Sequence, residues 1–549
     1  MMNNFSGLNR PAINARLSQE EFDLLIIGGG ITGAGIALDA SSRGMKVALI
    51  EKNDFASGTS SKSTKLIHGG LRYLKQFDFW LVQEVGSERA VVHRLAPHLV
   101  IPEKMLLPLI KNGTYGSWLT SIGLKIYDIL ASVEGEDQRK MLSKKEALKM
   151  EPLLPQKNLE GAGFYAEYRT DDARLTLEVL KTSLNYKTVA LNYCEAVNFI
   201  YEQQKIRGVK VVDHINHSKF SIKAKYVVNA SGPWVDDLRK INKSDIGKRL
   251  HLTKGVHLVF LHKKLPVKHA IYFDIPDGRM MFAIPRGKIT YVGTTDTNYQ
   301  ENKEEVEVKE VDALYLISAV NNMFPGINLE LKDIQSSWAG LRPLIHEEGK
   351  SASELSRKDE IFVSDTELIS IAGGKLTGYR KMAERTVDLV CKKYKNRYDK
   401  KFKQIQTENI FLTGGRFNNF QEVLNYQDQI FTKIKQYDFS KIDANYLVYN
   451  YGKQTDSILF KFDEFEEPNF KIRLAKAELW FCTEHEMVET PLDFFIRRTG
   501  RLYFDIESIK ELKVLILNEL SKKFNWTSKV FNQHKRNLEL ALMNATNFK

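Results

Sequence analysis

Cysteine and long apolar runs are both scarce in this sequence. Its 549 residues include three cysteines, Cys194, Cys391 and Cys482, whose spacing fits neither a disulfide framework nor a zinc or iron–sulfur site. We therefore expect no bound metal and a reducing compartment, the cytoplasm. No stretch approaches the roughly 18 uninterrupted apolar residues that a membrane-spanning helix requires. The first 20 residues lack an apolar core and do not predict a secretory signal.

Acidic residues are fewer than basic ones, with 68 Asp and Glu against 80 Lys and Arg, for a formal net charge of +12. Charge of this sign is compatible with an anionic membrane, a nucleic acid or an anionic substrate. It is equally compatible with a lysine-rich proteome and no special partner. Basic patches interleaved with aromatic residues are not evident, and no catalytic cysteine pair is present, so no nucleic acid partner is expected.

The stretch from residue 22 to residue 51 has the order of a nucleotide-binding βαβ unit. Phe22–Ile27 is a short apolar run typical of a buried parallel strand, and the glycines after it fit G-x-G-x-x-G. A helix is predicted over about Ile31–Arg43 and a second strand over Met45–Ile50. The glycines would let a pyrophosphate approach the helix N-terminus. Glu51 ends the second strand, where a carboxylate binds ribose hydroxyls and repels the 2′-phosphate of NADP.

A loop rich in hydroxyl groups follows this unit and favours a flavin over a nicotinamide cofactor. Residues 57–64 read SGTSSKST, and residues 67–73 read IHGGLRY. Hydroxyl groups can solvate a diphosphate and the polar rim of a flavin, and Gly69 and Gly70 permit close approach to a flat ring. With this combination, the sequence resembles the FAD-dependent glycerol-3-phosphate dehydrogenases, within the D-amino-acid-oxidase-like flavoprotein superfamily. The resemblance covers nearly all of the chain.

The resemblance implies an α/β fold, α+β overall, with FAD as the cofactor. A Rossmann-like FAD-binding domain is expected from the discontinuous segments 20–95, 164–235 and 365–398. An antiparallel β substrate domain, or cap, is expected over 96–163 and 236–364. A separate helical C-terminal domain is expected over 400–549, where Ile509, Leu512, Ile516 and Leu520 form one apolar stripe.

Two local patterns within these domains make more detailed predictions. Ile206–Asp213 and Phe220–Ile222 are predicted to form a β-hairpin, with Tyr226–Asn229 as a further buried strand. Trp118–Leu130 is predicted to be an apolar helix, which is either buried or interfacial because it is too short to span a bilayer.

The residues expected to contact FAD come from the glycine-rich turn, the hydroxyl-rich loop and two later turns that follow buried strands. Such turns before a helix N-terminus suit the polar parts of a cofactor. The expected contacts are Gly28, Gly30, Thr32, Gly33, Glu51, Lys52, Thr59, Ser60, Ser61, Ser63, His68, Gly69, Gly70, Ala230, Gly232, Trp234, Gly374, Leu376 and Thr377.

The reaction implied by the resemblance is oxidation of sn-glycerol 3-phosphate to dihydroxyacetone phosphate, with a hydride passing to the flavin. This reaction requires cations for the substrate phosphate, a proton acceptor and a dry flavin face. The candidates for substrate binding are Arg72, Tyr73, His257, Thr295, Arg357 and Lys375. The candidates for catalysis are His68 and Arg342.

The two catalytic candidates have different expected roles. His68 either accepts the hydroxyl proton or only hydrogen-bonds and packs beneath the flavin, and both alternatives stay open. Arg342 lies in an apolar run with no acid beside it. Because a guanidinium is a poor proton acceptor, we expect Arg342 to stabilise the forming carbonyl electrostatically.

The expected electron acceptor is a membrane quinone. A peripheral position on the anionic inner face of the cytoplasmic membrane is expected, and a homodimer is possible. Three rival functions are a glycerol-3-phosphate oxidase that makes hydrogen peroxide, a tRNA-modifying FAD protein and a non-catalytic redox sensor. Some of those oxidases carry a long insertion that is not evident between these motifs.

Overall fold

The computed structural model describes residues 5–68, 79–111, 113, 139–346 and 359–548. Several predictions from the sequence fall outside these ranges. They concern Gly69, Gly70, Arg72, Tyr73, Arg357 and the helix Trp118–Leu130. Within the described ranges, no helix is both long enough and apolar enough to cross a membrane.

Two β-sheets organise the described part of the chain. The first sheet consists of Glu21–Ile27, Val47–Ile50, Val189–Leu191, Cys194–Glu202, Lys205–Asp213, Lys219–Asn229, Asp359–Val363 and Ile369–Gly373. The second sheet consists of Leu66–Ile67, Ile101–Ile110, Lys140–Ser143, Leu159–Arg169, Leu250–Leu261, Ala270–Asp274, Met280–Arg286, Ile289–Gly293, Thr297–Asn298 and Ile334–Ile345.

Helices cover the first sheet and make up most of the C-terminal part. The described α-helices are Arg10–Gln19, Ile31–Ser42, Phe79–Leu95, Lys144–Met150, Asp172–Leu184, Val235–Ile241, Glu310–Met323, Tyr379–Tyr398, Phe420–Ile434, Lys441–Tyr451, Thr455–Glu464, Phe470–His485, Arg501–Phe504, Ile506–Phe524 and Ser528–Thr546. A π-helix spans Asp493–Arg498. The predicted mixed α/β fold is thereby confirmed.

The centre of the first sheet is the predicted βαβ unit. Glu21–Ile27 pairs in parallel with Val47–Ile50 on one side and with Lys219–Asn229 on the other. Its last four residues are buried, as expected for a parallel strand covered on both faces. The helix Ile31–Ser42 packs between the helices Asp172–Leu184 and Tyr379–Tyr398. This part of the chain was predictable because each of its signals is local.

Two strands that the sequence predicts separately are a single strand in the first sheet. The predicted strands Phe220–Ile222 and Tyr226–Asn229 form one continuous strand, Lys219–Asn229. Its first half pairs antiparallel with Lys205–Asp213, and its second half pairs parallel with Glu21–Ile27. The lysines between the two halves lie on the more exposed face of a single alternating strand, so no turn interrupts it.

The second sheet is mostly antiparallel, as the sequence predicts for the cap. Leu250–Leu261 pairs along its length with Ile334–Ile345, and one parallel pairing joins Ala270–Asp274 to Ile101–Ile110. Leu159–Arg169 belongs to this sheet and crosses the predicted domain boundary between residues 163 and 164. Leu66–Ile67 pairs with the end of the same strand, which brings the hydroxyl-rich loop against the second sheet.

The C-terminal helices form the predicted helical region, but their core is not separate. Ile509, Leu512, Ile516 and Leu520 are all buried, which confirms the apolar stripe. These side chains belong to one hydrophobic cluster with Trp338 and other residues of the second sheet. The C-terminal helices therefore pack against the second sheet as well as against one another. This packing removes apolar surface of both from water.

Candidate active site

A cavity of about 400 Å³ lies between the two sheets, at the carboxyl ends of the central parallel strands. Its volume is within the range of about 300–1,000 Å³ typical of small-molecule and cofactor sites. Ligands in open α/β sheets bind at this edge, because the loops that leave the strands converge there. The lining includes polar groups of both sheets and the apolar side chains Leu66, Ile371 and Leu376.

The glycine-rich turn forms one wall of the cavity. Gly28 has a φ of 117°, and Gly30 is the N-cap of the helix Ile31–Ser42. A Cβ at Gly33 would lie 1.9 Å from the carbonyl oxygen of Gly28, so only glycine lets the helix pack this close to the strand. The Ile31 amide donates to Ser60 Oγ at 2.9 Å, which places the hydroxyl-rich loop at the helix N-terminus.

Glu51 lies at the same end of the cavity. Its carboxylate accepts hydrogen bonds from the Gly29 amide at 2.7 Å and from the Asn53 amide at 2.9 Å. Burial raises the pKa of Glu51, and the two amide donors oppose that rise only in part. The amides hold the carboxylate against the glycine-rich turn, in the position where an adenosine ribose is expected.

Three side chains from distant segments meet at the rim on this side. The Trp234 Nε1–H donates to Glu304 Oε1 at 2.6 Å, and Lys52 forms an ion pair with the same carboxylate. Lys52 Nζ also lies 4.7 Å from the centroid of the Trp234 ring. All three residues line the cavity. The sequence predicted Lys52 and Trp234 as cofactor contacts but not Glu304.

At the other end of the cavity, an imidazole lies flat against an indole. The ring centroids of His257 and Trp338 are 4.7 Å apart with an interplanar angle of 10°. His257 Nε2 lies 3.0 Å from Thr64 Oγ1, and its buried Nδ1 has no hydrogen-bond partner among the described residues. Burial lowers the pKa of His257 well below its usual range, and the nearby Arg342 and Lys65 lower it further. His257 is therefore neutral near pH 7.

The segment that presents Thr64 is held at both ends by one buried carboxylate. Asp172 accepts from the Ser63 amide at 3.0 Å and forms an ion pair with Lys65. Trp338 Nε1 donates to the Ser63 carbonyl oxygen at 3.1 Å. These bonds hold the hydroxyl of Thr64 against the imidazole of His257.

Arg342 projects from the strand Ile334–Ile345 into the same end of the cavity. Its guanidinium donates to Asp296 Oδ1 at 3.1 Å and to Thr294 Oγ1 at 2.7 Å. The apolar run around Arg342 contains no acid, and its carboxylate partner comes from a different segment. The ion pair is about one-fifth exposed, so it keeps access to the cavity.

Lys375 and His68 complete this end of the cavity. Lys375 precedes the short 3₁₀ helix Leu376–Gly378 and lines the cavity. Thr377 Oγ1 donates to the carbonyl oxygen of His68 at 3.3 Å. The two turns that carry Lys375 and His68 are thus joined by a hydrogen bond, although they lie more than 300 residues apart in the chain.

Most of the described candidates from the sequence converge on this cavity. Those that line it are Gly28, Gly30, Thr32, Glu51, Lys52, Thr59, Ser60, Ser63, His68, Ala230, Gly232, Trp234, His257, Arg342, Gly374, Lys375, Leu376 and Thr377. Lining the cavity is a matter of position, and the binding role of each residue stays a prediction.

Three described candidates do not line the cavity. The Thr295 hydroxyl donates to the Lys254 carbonyl oxygen and accepts from the Val256 amide, both at 3.1 Å, so it is used within the second sheet. Ser61 is buried inside its 3₁₀ turn. Gly33 faces Gly28 and lets the helix pack close to the strand. The position of these three residues does not support their expected contacts, which stay predictions.

Several lining residues were missed from the sequence, among them Lys62, Thr64, Asp172, Glu304 and Gly340. Lys62 and Thr64 lie inside the hydroxyl-rich loop, so their place in the motif was an available signal. Asp172 begins a helix and has the sequence signature of an ordinary helix start. Glu304 lies in a charged loop where nothing in the sequence distinguishes it.

Comparison with known proteins identifies the family. The family model of the FAD-dependent oxidoreductases matches residues 23–373, and the model of the C-terminal domain of alpha-glycerophosphate oxidase matches residues 405–530. The aerobic glycerol-3-phosphate dehydrogenase of Bacillus subtilis is 49% identical over 99% of both chains. The chain belongs to the aerobic glycerol-3-phosphate dehydrogenase family. The enzyme of that name from Staphylococcus aureus strain USA300 is 46% identical over 98% of both chains.

Solved structures agree with this family assignment. The glycerol-3-phosphate dehydrogenase from Bacillus halodurans complexed with FAD has a TM-score of 0.85 and 42% identity, with 99% of both chains covered. The L-alpha-glycerophosphate oxidase from Mycoplasma pneumoniae with FAD bound has a TM-score of 0.56 at 20% identity, over 71% of this chain and 97% of that one. The oxidase therefore supports the shared fold alone.

The cavity fits FAD, the cofactor of this family. The N-terminus of the helix Ile31–Ser42 and the hydroxyl of Ser60 suit a diphosphate, whereas the Thr59 hydroxyl donates to the Leu341 carbonyl oxygen at 2.7 Å. The carboxylate of Glu51 suits a ribose, and apolar walls suit a ring system. Bound FAD supplies a hydride acceptor, and this chain's side chains supply binding, orientation and charge. The FAD-dependent dehydrogenase assignment from the sequence is confirmed.

Proposed function

We propose that this protein oxidises sn-glycerol 3-phosphate to dihydroxyacetone phosphate. The observation that carries the proposal is the pairing of a nucleotide-type cavity with two cations, Arg342 and Lys375, at the end away from Glu51. Cations in that position suit an anionic substrate held beside a flavin. The names of the closely similar relatives support glycerol 3-phosphate as that anion.

Arg342 is proposed to stabilise negative charge on the substrate oxygen as the carbonyl forms. Its guanidinium is oriented by Asp296 and Thr294 in advance, so little reorganisation is needed during the reaction. Lys375 is proposed to bind the substrate phosphate, together with Arg72, Tyr73 and Arg357, which lie outside the described residues. In this proposal, Arg342 lies near the reacting carbon, and the other cations lie near the phosphate.

The two histidines are proposed to have different roles. His257 is buried, neutral and hydrogen-bonded to Thr64, so it suits orientation of the substrate better than acceptance of a proton. His68 lines the cavity beside the turn that carries Lys375 and stays the candidate proton acceptor. A His68→Gln variant should therefore lose turnover while its flavin content stays high.

The electron acceptor is proposed to be a quinone in the membrane, with the protein bound to the anionic membrane surface. The net charge of +12 supports this, because each basic group near an anionic leaflet contributes about 1 kcal/mol of attraction. A homodimer stays a prediction. The competing function is an oxidase, which would pass the electrons to oxygen.

Two measurements test the proposed function. Purified protein is supplied with glycerol 3-phosphate and a soluble quinone analogue under argon, and dihydroxyacetone phosphate is measured. The same reaction is then run in air without the quinone, and peroxide is measured. Fast quinone-dependent product formation supports the dehydrogenase, whereas stoichiometric peroxide in air supports the oxidase. Flotation with anionic and neutral liposomes at low and high salt tests the membrane contact.

A further inference from the structure

Lys62 is a cavity residue that the resemblance does not assign. It follows the 3₁₀ turn Thr59–Ser61 and lines the cavity. A Cβ at Gly340 would lie 2.6 Å from the carbonyl oxygen of Lys62 and 2.7 Å from its Cβ. The close contact with Gly340 fixes Lys62 against the strand Ile334–Ile345, which carries Arg342 two residues further along.

Lys62 is half-buried, and the two fully buried lysines near the site are paired with carboxylates. Lys65 pairs with Asp172, and Lys254 pairs with Asp312 at 2.6 Å. Lys62 differs from them, because its ammonium has no carboxylate partner or hydrogen-bond acceptor within the described ranges. A cation held in a cavity without an internal anion favours an external anion, because no internal charge compensates the part of its hydration that it has lost.

The burial of Lys62 adds to this preference. Burial lowers the pKa of Lys62 to about 8, with a further lowering from Arg497 and a small opposing effect from Glu304. Arg497 is itself neutralised by Asp54 and Asp493. Burial is therefore the main cost to the ammonium of Lys62, and an anion bound beside it would offset that cost.

The groups next to Lys62 in the loop are suited to phosphoryl oxygens. Ser60 Oγ accepts from the Ile31 amide, so its hydroxyl hydrogen is available to an external acceptor. The helix that begins at Ile31 presents its N-terminus on the same side. We propose that Lys62 binds a phosphate group of a ligand in this cavity, either the diphosphate of FAD or the phosphate of glycerol 3-phosphate. The second source rests on the proposed function, and the first does not.

Three variants test the proposal in the full-length holoenzyme. Lys62→Met removes the charge at similar length, Lys62→Arg retains a charge, and Lys210→Met removes the same charge at an exposed site outside the cavity. Each holoenzyme is diluted, and released FAD is measured by its fluorescence. The Michaelis constant for glycerol 3-phosphate is measured on samples saturated with FAD.

The two phosphate sources give different outcomes. If Lys62 binds the FAD diphosphate, Lys62→Met raises the dissociation constant for FAD at least about tenfold, the effect of losing a charged hydrogen bond. If it binds the substrate, the Michaelis constant rises by a similar factor with FAD retained. Lys62→Arg keeps most of the affinity in either case. The comparison with the Lys210→Met control decides. If both the dissociation constant for FAD and the Michaelis constant of Lys62→Met lie within about twofold of the control, the proposal is overturned.

The pH dependence of the affected constant provides a second readout. Only protonated Lys62 binds phosphate, so the wild-type constant should rise as pH increases above about 8. Burial alone would lower the pKa of Arg497, but Asp54 and Asp493 raise it above its ordinary value, so Arg497 does not titrate there. The rise should be absent from Lys62→Arg and Lys62→Met. A wild-type constant that is flat from pH 7 to pH 9.5 contradicts the lowered pKa of Lys62.

Failure of the proposed function would be recognised separately. A wild-type protein that retains FAD but does not act on glycerol 3-phosphate would remove the substrate assignment. The dissociation constants for FAD would still report whether Lys62 binds a diphosphate.

Discussion

Asp54 is the residue through which the C-terminal helices stabilise the cofactor loop, and Asp54→Asn should destabilise the whole protein. This buried carboxylate accepts from Arg498 at 2.6 and 2.8 Å, from the Asn192 amide at 3.0 Å, and from Arg497 Nε. Arg497 keeps Asp493 as a partner at 2.7 Å in the variant. Arg498 would keep the carbonyl oxygen of Glu486 and one side-chain oxygen at position 54 as acceptors, but it would lose the negative charge, which leaves about one buried charge uncompensated.

The expected loss in the free energy of unfolding is about 3–5 kcal/mol, which is typical of a broken buried ion pair. The same ion pairs also change the pKa of Asp54. Burial alone would raise the pKa of Asp54, but Arg498 and Arg497 outweigh it and lower the pKa to about 2. Against an unfolded value of about 3.9, that difference corresponds to roughly 3 kcal/mol. The two figures agree in order of magnitude.

The sign of the pH dependence follows from the same pKa. A carboxyl whose pKa is lowered by folding contributes its full stability above its unfolded pKa. That contribution is lost as pH falls from about 4 to about 2. The variant should therefore lose part of the acid sensitivity of the wild type, and its deficit should be largest near neutral pH.

The assay is urea unfolding of the full-length holoenzyme, followed by circular dichroism and by flavin fluorescence. Glu507→Gln is the control, because its pair with Lys510 at 2.8 Å is exposed and should contribute less than about 0.5 kcal/mol. In Asp54→Asn, both signals should shift to lower urea together, since the lost bonds join the C-terminal helices to the loop after Glu51. A variant as stable as the Glu507→Gln control would refute the reasoning.

Three further predictions concern the cofactor turn, the imidazole and a buried carboxyl. Gly33→Ala should purify with little FAD, because the added Cβ would lie 1.9 Å from the Gly28 carbonyl oxygen; a full flavin absorbance would contradict this. Thr64→Val should lower kcat while Thr64→Ser retains it, since the hydroxyl bonds His257 Nε2 at 3.0 Å; equal turnover would remove this hydroxyl from the site. Burial raises the pKa of Glu489 to about 8, so its contribution to stability is full below about pH 4.3 and is lost as pH rises through 8. Glu489→Gln should accordingly raise the thermal midpoint relative to wild type at pH 8.5, and a lower midpoint would count against the raised pKa.

Local signals account for most of what the sequence predicted correctly. The strand, glycines, helix and acid from Phe22 to Glu51 are contiguous, and each constrains its neighbours through backbone geometry. The apolar stripe from Ile509 to Leu520 is visible because helical spacing alone places its members on one face. Neither pattern needs knowledge of the rest of the fold.

Pairings between distant segments were not predictable in the same way. The sequence around Arg342 has no acid, and Asp296 reaches it only because two strands of the second sheet bring the segments together. Asp54 and Arg498 are 444 residues apart, so nothing in either segment indicates the other. A buried charge predicts that a partner exists, whereas the fold determines which residue it is.

Which of two adjacent residues makes a given contact also depends on the tertiary structure, which the local sequence does not show. Thr295 was the expected cavity residue, but its hydroxyl bonds inside the second sheet while Thr294 reaches Arg342. Lys62 was passed over because it stands among hydroxyl residues that fit a cofactor motif. Its lack of a carboxylate partner within the described ranges is visible only once the surrounding segments are in place.

Reduction of the bound flavin in the absence of oxygen tests the proposed function most directly. The yellow holoenzyme is made anaerobic, and glycerol 3-phosphate is added in small excess while the visible flavin absorbance is recorded. The proposal predicts rapid bleaching, with one dihydroxyacetone phosphate formed for each flavin reduced, and no bleaching with glycerol or inorganic phosphate. A flavin that stays oxidised with glycerol 3-phosphate but is reduced by an amino acid would contradict it.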